Sequence, residues 1–246
     1  MHGEYDYSIY YKKYHDGSPE DIQRREKLFA GLIFDLIKDY PRSSAVLDYG
    51  CGDGGLTSYL GKFFDEVLGV DASAEQVESA RRNGVDAKCL HTDDFSAWIE
   101  SNAGKFDIVF LFDVLEHIPV DLQMNFMRGL VKTLKIGGVI FIKVPNANSL
   151  LANRWRYNDW THCSSFTESS LDFVCLNCGL KQPEYFPDES NVKPRYWWIP
   201  RYSIFGFYIK MIFRGLWWLY IRSELGPQAK NIPLGVNLLA RARKQE

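Results

Sequence analysis

A glycine-rich turn follows a short apolar stretch and is the part of the sequence best suited to hold a ligand. The chain reads Asp48-Tyr49-Gly50-Cys51-Gly52-Asp53-Gly54-Gly55 directly after Ala45-Val46-Leu47. Glycines let a ligand approach the backbone, and the first N–H groups of a following helix can bind an anion. Gly50, Gly52 and Gly55 fit the dinucleotide pattern G-x-G-x-x-G, which binds pyrophosphate. The sequence therefore predicts a cofactor-binding turn between a strand and a helix.

An acidic residue ends the next apolar stretch, Val67-Leu68-Gly69-Val70-Asp71-Ala72-Ser73. Asp71 lies about 20 residues after the glycine turn, the spacing at which a carboxylate accepts hydrogen bonds from ribose hydroxyls. Ser73 also fits a helix N-cap, with Gln76 completing a capping box. The two roles use different atoms, so both can hold, and neither decides which nucleoside cofactor is bound.

The elements that must position these residues follow from an alternation of apolar and amphipathic stretches. The predicted strands are Ala45–Tyr49, Glu66–Val70, Ala87–Leu90, Phe106–Phe112, Val139–Val144, Leu180–Phe186 and Gly235–Ala242. The predicted helices are Glu20–Tyr40, Leu56–Phe64, Ala74–Asn83, Val120–Leu134 and Thr167–Asn177. Nearly continuous apolar strands separated by amphipathic helices indicate an α/β fold with a parallel sheet covered on both faces.

Three motifs beyond the glycine turn separate the possible cofactors. Phe106–Ile118 reads FDIVFLFDVLEHI, Leu134–Ile140 reads LKIGGVI, and the tail contains Pro145-Asn146, His162 and Phe166-Thr167. With Gly50, Gly52 and Gly54 after Asp48, they resemble the class I S-adenosylmethionine-dependent methyltransferases. In that family the motifs are written FDxV…LEH, LkPGG and PN…H…ft. Ile136 stands where the family usually has proline, a departure that affects only the turn.

The resemblance covers about residues 44–183 and the last strand, and it implies a fold, a cofactor and a set of ligand-binding residues. The implied fold is a Rossmann-like, seven-stranded, mostly parallel sheet whose last strand is antiparallel. The implied cofactor is S-adenosylmethionine, which leaves as S-adenosylhomocysteine. We expect it to be bound by Asp48, Gly50, Cys51, Gly52, Gly54, Asp71, Ala72, Ser73, Asp93, Asp94, Phe95 and Phe112. In this family an acidic residue at the position of Asp93, or of Asp94 next to it, faces the adenine amino group.

Three residues are candidates for handling the methyl acceptor. If the acceptor is a hydroxyl group, its proton must leave, and a positioned base assists. His117 follows the fourth strand and His162 lies in the connection after the fifth, both on the carboxyl side where ligands bind in open α/β sheets. Either histidine can act as the base or as a plain hydrogen-bonding group. Asp113 is a third candidate base, or a group that positions the acceptor.

Four residues invite comparison with a zinc site, namely His162, Cys163, Cys175 and Cys178. However, Cys175 and Cys178 fall inside a periodic helix beside Leu171 and Val174, where small thiols pack well. A single C-x-x-C is also a weak metal signature. We therefore expect no metal site, and the odd count of five cysteines makes a disulfide framework unexpected as well.

The chain divides into four predicted parts. Residues 1–43 form an N-terminal cap and helix with many tyrosines (Tyr5, Tyr7, Tyr10, Tyr11 and Tyr14), 44–186 form the core, 187–233 an aromatic-rich insertion, and 234–246 the final strand. Within the insertion, Ile204–Ile221 is nearly long enough to span a bilayer but carries Lys210 and Arg214 mid-run. It is therefore expected to lie in a membrane interface or to pack against the core or a second copy, and residues 196–221 are the proposed contact.

Several functions remain open on the sequence. The favoured hypothesis is O-methylation of a sugar hydroxyl on a cell-surface or lipid-linked glycan, because the motif tail resembles bacterial surface-polysaccharide-associated methyltransferases and Trp and Tyr suit sugar rings. The alternatives are O-methylation of a quinone or isoprenoid lipid, an NAD-dependent oxidoreductase, and a non-catalytic module that retains the cofactor site. The expected partners are a small-molecule or glycan acceptor and a possible peripheral membrane surface.

Composition excludes other classes. The chain has 246 residues, 46% of them hydrophobic and 24% charged, with a net charge of −2. This is ample material for a core and too little positive charge for a broad nucleic-acid surface. The first residues contain no basic-then-apolar signal region, so we expect a cytoplasmic protein at or near the inner face of the membrane.

Overall fold

The computed structural model describes residues 19–188 and 200–246, which build one seven-stranded sheet. In chain order the strands are β1 (Ala45–Tyr49), β2 (Glu66–Asp71), β3 (Ala87–Cys89), β4 (Phe106–Phe112), β5 (Leu134–Pro145), β6 (Glu184–Phe186) and β7 (Asn237–Arg243). Their spatial order is β3-β2-β1-β4-β5-β7-β6. The order reverses between β1 and β4, the switch point at which open α/β sheets bind ligands.

Strand direction follows the prediction. β1 pairs in parallel with β2 and β4, and β4 pairs in parallel with β5. β7 is antiparallel to both β5 and β6, so β6 runs in the same direction as β5. The predicted Rossmann-like sheet with an antiparallel last strand is confirmed, and the chain leaves β6 at the carboxyl edge of the sheet.

Eight α-helices of the described residues flank or extend the sheet. They are α1 (Pro19–Ile37), α2 (Gly55–Leu60), α3 (Ala74–Arg82), α4 (Phe95–Ser101), α5 (Val120–Thr133), α6 (Ala152–Tyr157), α7 (Glu168–Asn177) and α8 (Pro200–Leu225). Local chemistry explains their ends: the Ser73 hydroxyl accepts from the Gln76 N–H at the start of α3, and Thr167 and Ser170 form a capping box at α7. A cap fixes where a helix begins and so holds the preceding loop at the sheet edge.

The core lies on both faces of the sheet. One face packs against α5 and α7 through side chains such as Met127, Leu130 and Leu171. The other packs against α1 and α2 through Ile33, Ile37 and others. The side chains of β4 alternate between the two faces of the sheet, and both faces are covered. β4 is therefore buried on both sides, which explains why its sequence is nearly all apolar.

The main differences from the predicted elements concern β5, β6, α4, α6 and α8. β5 begins at Leu134 instead of Val139, because the Gly137-Gly138 turn stays within the strand at a register irregularity opposite β4. β6 begins only at Glu184, after Pro183, which has no N–H to donate to a ladder. The short helices α4 and α6 were not predicted, and α8 extends four residues beyond each end of the predicted Ile204–Ile221.

The long helix α8 exposes most of its apolar residues that the structure describes. Trp217 is half-buried, and its Nε1 donates to the Asn148 carbonyl at 2.8 Å, while Ile221 is buried. The exposed residues are Tyr208, Ile209, Met211, Ile212, Phe213, Leu216, Trp218, Leu219, Tyr220 and Leu225. Among the described helices, none combines the length and hydropathy needed to cross a bilayer. The predicted N-terminal tyrosine cap and the aromatic run 196–199 lie outside the described residues.

Candidate active site at the carboxyl edge of the sheet

The glycine turn joins β1 to α2 in a backbone conformation that side chains disfavour. Gly50, Gly52 and Gly54 have φ angles of 85°, 53° and 83°. The N–H groups of Gly50 and Cys51 donate to the Val70 carbonyl at 2.7 and 3.0 Å, which ties the turn to the end of β2. Left-handed φ is favourable only for glycine, so the sequence pattern has a direct conformational cause.

Asp71 connects the glycine turn to the loop before α3. Its Oδ2 accepts from the Gly52 N–H at 2.9 Å and its Oδ1 accepts from the Ser73 N–H at 2.8 Å. Burial raises the pKa of Asp71, and the hydrogen bonds from Ser73 and Gly52 oppose that rise. Each carboxylate oxygen has a second lone pair, so the group can also accept from a ligand hydroxyl. Asp71 thus ties the glycine turn to the start of α3, and its contact with a ribose stays a prediction.

Asp48 lies beneath the turn on β1, with 2% of its surface exposed. The Thr57 hydroxyl donates to its Oδ2 at 2.6 Å. Burial raises the pKa of Asp48 to about 7, against the lowering effect of the Thr57 hydrogen bond and with a further rise from the charge of Asp71. Burial likewise raises the pKa of the Cys51 thiol, so this thiol stays protonated and uncharged where it lines the turn. A carboxyl held near its titration point is sensitive to any cation placed beside it.

The other residues predicted for the cofactor lie around the same edge. Asp93 and Asp94 form an exposed turn after β3, and Phe95 packs against Phe126 with ring centroids 5.3 Å apart. Phe112 ends β4 and contacts the Phe110 ring edge-on. Ala72 is exposed and Ser73 half-buried at the start of α3. Their place at the carboxyl edge agrees with the prediction, and their contact with the cofactor stays a prediction.

Asp113 follows β4 in an unusual conformation. It is a non-glycine residue with φ of 56°, and its carboxylate pairs with the Lys143 ammonium at 2.5 Å. Lys143 lies near the end of β5 beside the Phe112 ring, 5.5 Å from its centroid. The Asp113 side chain is half exposed, so the pair can face a ligand while it fixes the strained turn.

The two predicted histidines are brought together. The rings of His117 and His162 lie edge-on with centroids 4.6 Å apart, although they are 45 positions apart in sequence. The contact depends on the backbone of the intervening loop, because the N–H groups of Cys163 and Ser164 donate to the Glu116 carbonyl at 2.6 and 3.3 Å. The structure therefore builds one polar cluster from Glu116, His117 and His162.

Burial determines the charge of this cluster. Burial, together with the charge of His162, lowers the pKa of His117 to about 4. Burial and the nearby Asp113 carboxylate raise the pKa of Glu116 well above its usual range. His117 is thus a neutral imidazole near pH 7. A base with so low a pKa removes a proton from a hydroxyl group inefficiently. The structure therefore favours a role in which the nitrogen lone pair of His117 binds a partner without taking up a proton.

The suggested cysteine ligands do not surround His162. Cys175 and Cys178 are buried in the core, where the Cys178 thiol donates to the Met124 carbonyl at 3.6 Å. The exposed Cys163 lies with its Sγ 3.7 Å from the His117 carbonyl. All five cysteines are free thiols. The structure therefore gives Cys175 and Cys178 the packing role that their helical spacing predicted.

Two residues to which the sequence analysis gave no structural role hold the site together. Arg25 of α1 forms a bidentate, buried pair with Asp53 of the glycine turn, at 2.5 and 2.6 Å. Asn146 donates from its Nδ2 to the Pro233 and Gly235 carbonyls at 2.8 Å, and its Oδ1 accepts from the Asn148 N–H. Asn146 thus holds the return to β7 against the loop after β5, which gives the Pro-Asn motif a physical role. Neither long-range partner is visible from local spacing.

Comparison with known proteins agrees with this geometry. A family model described as a methyltransferase domain matches residues 21–182. The chain is 29% identical over 106 residues to a ubiquinone biosynthesis O-methyltransferase of Sodalis glossinidius, covering 42% of each chain. It is 35% identical over 125 residues to an uncharacterized methyltransferase of Schizosaccharomyces pombe, covering 49% of this chain and 48% of the other. These matches span less than half the length of those relatives.

Solved structures show the same fold. The crystal structure of a SAM-dependent methyltransferase from Archaeoglobus fulgidus superposes with a TM-score of 0.64 and 19% identity, over 98% of this chain and 100% of the other. Since the family model covers more than half of the chain, this protein belongs to the methyltransferase domain family, with the class I S-adenosylmethionine-dependent fold. Family membership decides between the two cofactors that the glycine spacing allowed, in favour of S-adenosylmethionine.

Proposed function

We propose that this protein transfers the methyl group of S-adenosylmethionine to a ring hydroxyl of an amphipathic lipid. The observation that carries the proposal is the contact between the cofactor turn and the polar turn after β4: Val114 lies directly against Gly50, between Asp113 and the cluster of Glu116, His117 and His162. A donor held at Gly50 and an acceptor held at the cluster would be neighbours, and proximity supplies much of the acceleration in methyl transfer.

The assigned roles follow from charge and exposure. Asp71 is proposed to bind the ribose, and the glycine turn to hold the amino-acid end of the donor over Asp48. Asp113 is proposed to position the acceptor, because its carboxylate is half exposed and held by Lys143. His117 and His162 are proposed to line the place of the acceptor oxygen.

Two observations support a lipid acceptor. Several relatives that match this chain are named ubiquinone biosynthesis O-methyltransferases, and a ubiquinone-type acceptor combines a ring hydroxyl with an apolar tail. Helix α8 presents a broad apolar surface, and Trp217 fastens it to Asn148 at the carboxyl edge. An apolar tail could lie along α8 while the ring reaches the cluster.

A glycan acceptor, which the sequence favoured, stays as the second candidate. The segment between β5 and α7 exposes Trp160 and Tyr157, with 87% and 75% of their surfaces accessible. Exposed aromatic faces can stack on the C–H faces of sugar rings. The two candidates differ in the solubility of the methylated product.

The test is transfer of a radiolabelled methyl group from S-adenosylmethionine to fractionated cell lipids and glycans. We expect label in a lipid fraction and little label when Asp71→Ala protein replaces the wild type. Label confined to glycans would reject the lipid acceptor in favour of the second candidate. Absence of label from every fraction, with donor binding intact, would reject catalysis and support the non-catalytic module instead.

We also propose that α8 contacts an anionic membrane surface, where such a lipid would be presented. The half-buried Arg214 and the exposed Arg222, which stacks on Trp218 at 5.0 Å, supply positive charge among exposed apolar residues. This combination is typical of interfacial helices. In flotation, the protein should rise with anionic vesicles, and Lys210→Glu with Arg214→Glu should abolish this, whereas Arg81→Glu with Arg82→Glu on α3 should not. Protein that stays at the bottom with every vesicle composition would refute the membrane contact.

A further inference from the structure

Three side chains of the polar cluster have the arrangement of metal ligands. A carboxylate oxygen of Glu116 and one ring nitrogen each of His117 and His162 lie within 4.8 Å of one another. Within residues 19–188 and 200–246, this is the one group of three His, Cys, Asp or Glu side chains whose ligand atoms lie close enough to hold a metal ion. Glu116 is 1% exposed and the histidines are half-buried, so the cluster has one buried wall and one side open to the carboxyl edge.

The hydrogen bonds of the two imidazoles fix their tautomers. His162 Nδ1 lies 2.7 Å from the Trp155 carbonyl oxygen, which can only accept, so this nitrogen carries the proton. The Thr161 hydroxyl donates its single proton to Asp159 at 2.7 Å, so it accepts from His117 Nδ1 at 2.8 Å. In both rings Nε2 is therefore the lone-pair nitrogen. Metal-binding histidines are commonly oriented in this way, by a donor bond from the other ring nitrogen to an oxygen.

Glu116 supplies an independent observation. Its Oε2 is buried and has no hydrogen-bond partner. A buried polar oxygen without a partner is costly, and the Glu116 carboxyl lies in one cluster with two imidazoles. A cation bound among the three side chains would remove that cost. Asp159 accepts the Thr161 N–H and hydroxyl at its Oδ1, and its Oδ2 lies 4.0 Å from His162 Nε2, so a further carboxylate oxygen borders the cluster.

We propose that Glu116, His117 and His162 bind one divalent transition-metal cation. Two imidazole nitrogens and one carboxylate form a donor set that suits Zn²⁺ and its neighbours in the first transition series. Bonds of about 2 Å need ligand atoms about 3–4 Å apart, so small side-chain rotations close the present spacing. Three protein ligands leave further coordination positions open toward the carboxyl edge.

The site gives the cluster a defined task in methyl transfer, and this part rests on the proposed function. An acceptor hydroxyl bound at an open position becomes more acidic and releases its proton to water. Its oxygen then forms a bond to the methyl carbon while the S–CH₃ bond breaks, and the sulfonium becomes the neutral thioether of S-adenosylhomocysteine. This role replaces that of general base for both histidines, because a coordinated nitrogen cannot accept a proton.

The test measures metal binding alone, with neither donor nor acceptor present. Full-length protein freed of metal by a chelator is titrated with Zn²⁺ by calorimetry and with Co²⁺ by visible absorption. We expect one site per chain, with Co²⁺ bands typical of nitrogen and oxygen ligands. Glu116→Gln and His162→Asn should lose this site, and Thr161→Val should weaken it about tenfold or more because His117 loses its orienting partner.

Matched controls keep the result decisive. His91→Asn removes an exposed histidine outside the cluster and should leave the site unchanged. Binding of S-adenosylhomocysteine to each variant reports folding. Failure of the wild type to bind either metal would overturn the proposal, as would binding that Glu116→Gln and His162→Asn in folded protein leave unaltered. A metal site without methyl transfer to lipids or glycans would reject the proposed function and leave this inference standing.

Discussion

Gly50 lies so close to Val114 that a Cβ added to the glycine would overlap Val114 Cγ2. The glycine belongs to the cofactor turn after β1, and the valine to the turn after β4 that leads to Glu116 and His117. The absence of a side chain at Gly50 thus lets two loops of different function meet. The proposal that donor and acceptor lie side by side depends on this contact.

Gly50→Ala should weaken binding of S-adenosylhomocysteine at least about tenfold and lower Tm, because it adds steric overlap to backbone strain at φ of 85°. Calorimetry and thermal unfolding measure the two effects. Gly84→Ala is the matched control, since Gly84 has φ of 79° with nothing near its missing Cβ. Val114→Ala should restore part of the loss in the Gly50→Ala background. Equal effects of the two glycine substitutions on Tm and binding would show that the contact with Val114 is unimportant.

Asp71→Ala should weaken binding of S-adenosylhomocysteine more than Asp71→Asn does. Alanine removes both acceptor oxygens from Gly52 and Ser73, whereas asparagine keeps one. Alanine also removes the proposed hydrogen bond from the ribose to the carboxylate, and one hydrogen bond to a charged group contributes about 1.5–3 kcal/mol, so affinity should fall about a hundredfold. Asp86→Ala, an exposed acid before β3, serves as the control in the same calorimetric titration. Unchanged affinity in Asp71→Ala would remove this carboxylate from the cofactor site.

Most of the fold could be predicted because its information is local. Apolar runs mark the buried strands, and Ser73 and Thr167 mark helix starts through hydrogen bonds within three residues. β5 was predicted too short because Gly137 and Gly138 are typical of a turn, whereas pairing with β4 keeps them in the strand. Tertiary pairing overrides local preference there, which no single-sequence pattern records.

The candidate site was predictable only in part. Asp48, Asp71 and the glycines sit at the ends of adjacent parallel strands, so the topology alone brings them together. The cluster of Glu116, His117 and His162 instead depends on Cys163 and Ser164 docking on the Glu116 carbonyl. These are hydrogen bonds between backbone groups, which do not depend on residue type and so leave no pattern in the sequence. For this reason Glu116 was not recognised as a site residue, although its motif was.

The buried pair of Arg25 and Asp53 should stabilise the junction of α1 with the glycine turn. Their side chains are 9% and 7% exposed. Asp53→Asn should lower the free energy of unfolding by about 3–5 kcal/mol, because it removes the buried carboxylate that holds the guanidinium through two hydrogen bonds. Urea unfolding followed by circular dichroism measures this change. Cofactor affinity should fall as well, since Asp53 belongs to the turn.

A double-mutant cycle tests the same pair. Arg25→Met with Asp53→Asn should be less destabilised than the sum of the single variants, because the two side chains interact directly and each single substitution already removes that interaction. The exposed pair of Arg42 and Asp65 is the control, and Arg42→Ala should cost at most about 1 kcal/mol. Additive effects in the buried pair would contradict direct coupling.

Asp48 should make the stability of the protein without cofactor depend on pH. Its pKa is about 7 in the folded state, against about 4 in an unfolded chain. Between these values the folded state binds more protons, so the contribution of Asp48 to the free energy of unfolding falls as pH rises from about 4 to about 7. Three pKa units correspond to about 4 kcal/mol at most. Urea unfolding at pH 5 and pH 8 measures the change.

The comparison with Asp48→Asn isolates this carboxyl from other carboxyls whose pKa burial raises, such as Asp71. The variant should lose less stability than the wild type between pH 5 and pH 8, because an amide stays neutral throughout. Thr57→Val should steepen the decline, since it removes the hydroxyl that donates to the ionised carboxylate at 2.6 Å. Parallel stability curves for the wild type and Asp48→Asn would contradict the prediction. They would show that Asp48 is ionised across the whole range and that burial does not raise its pKa.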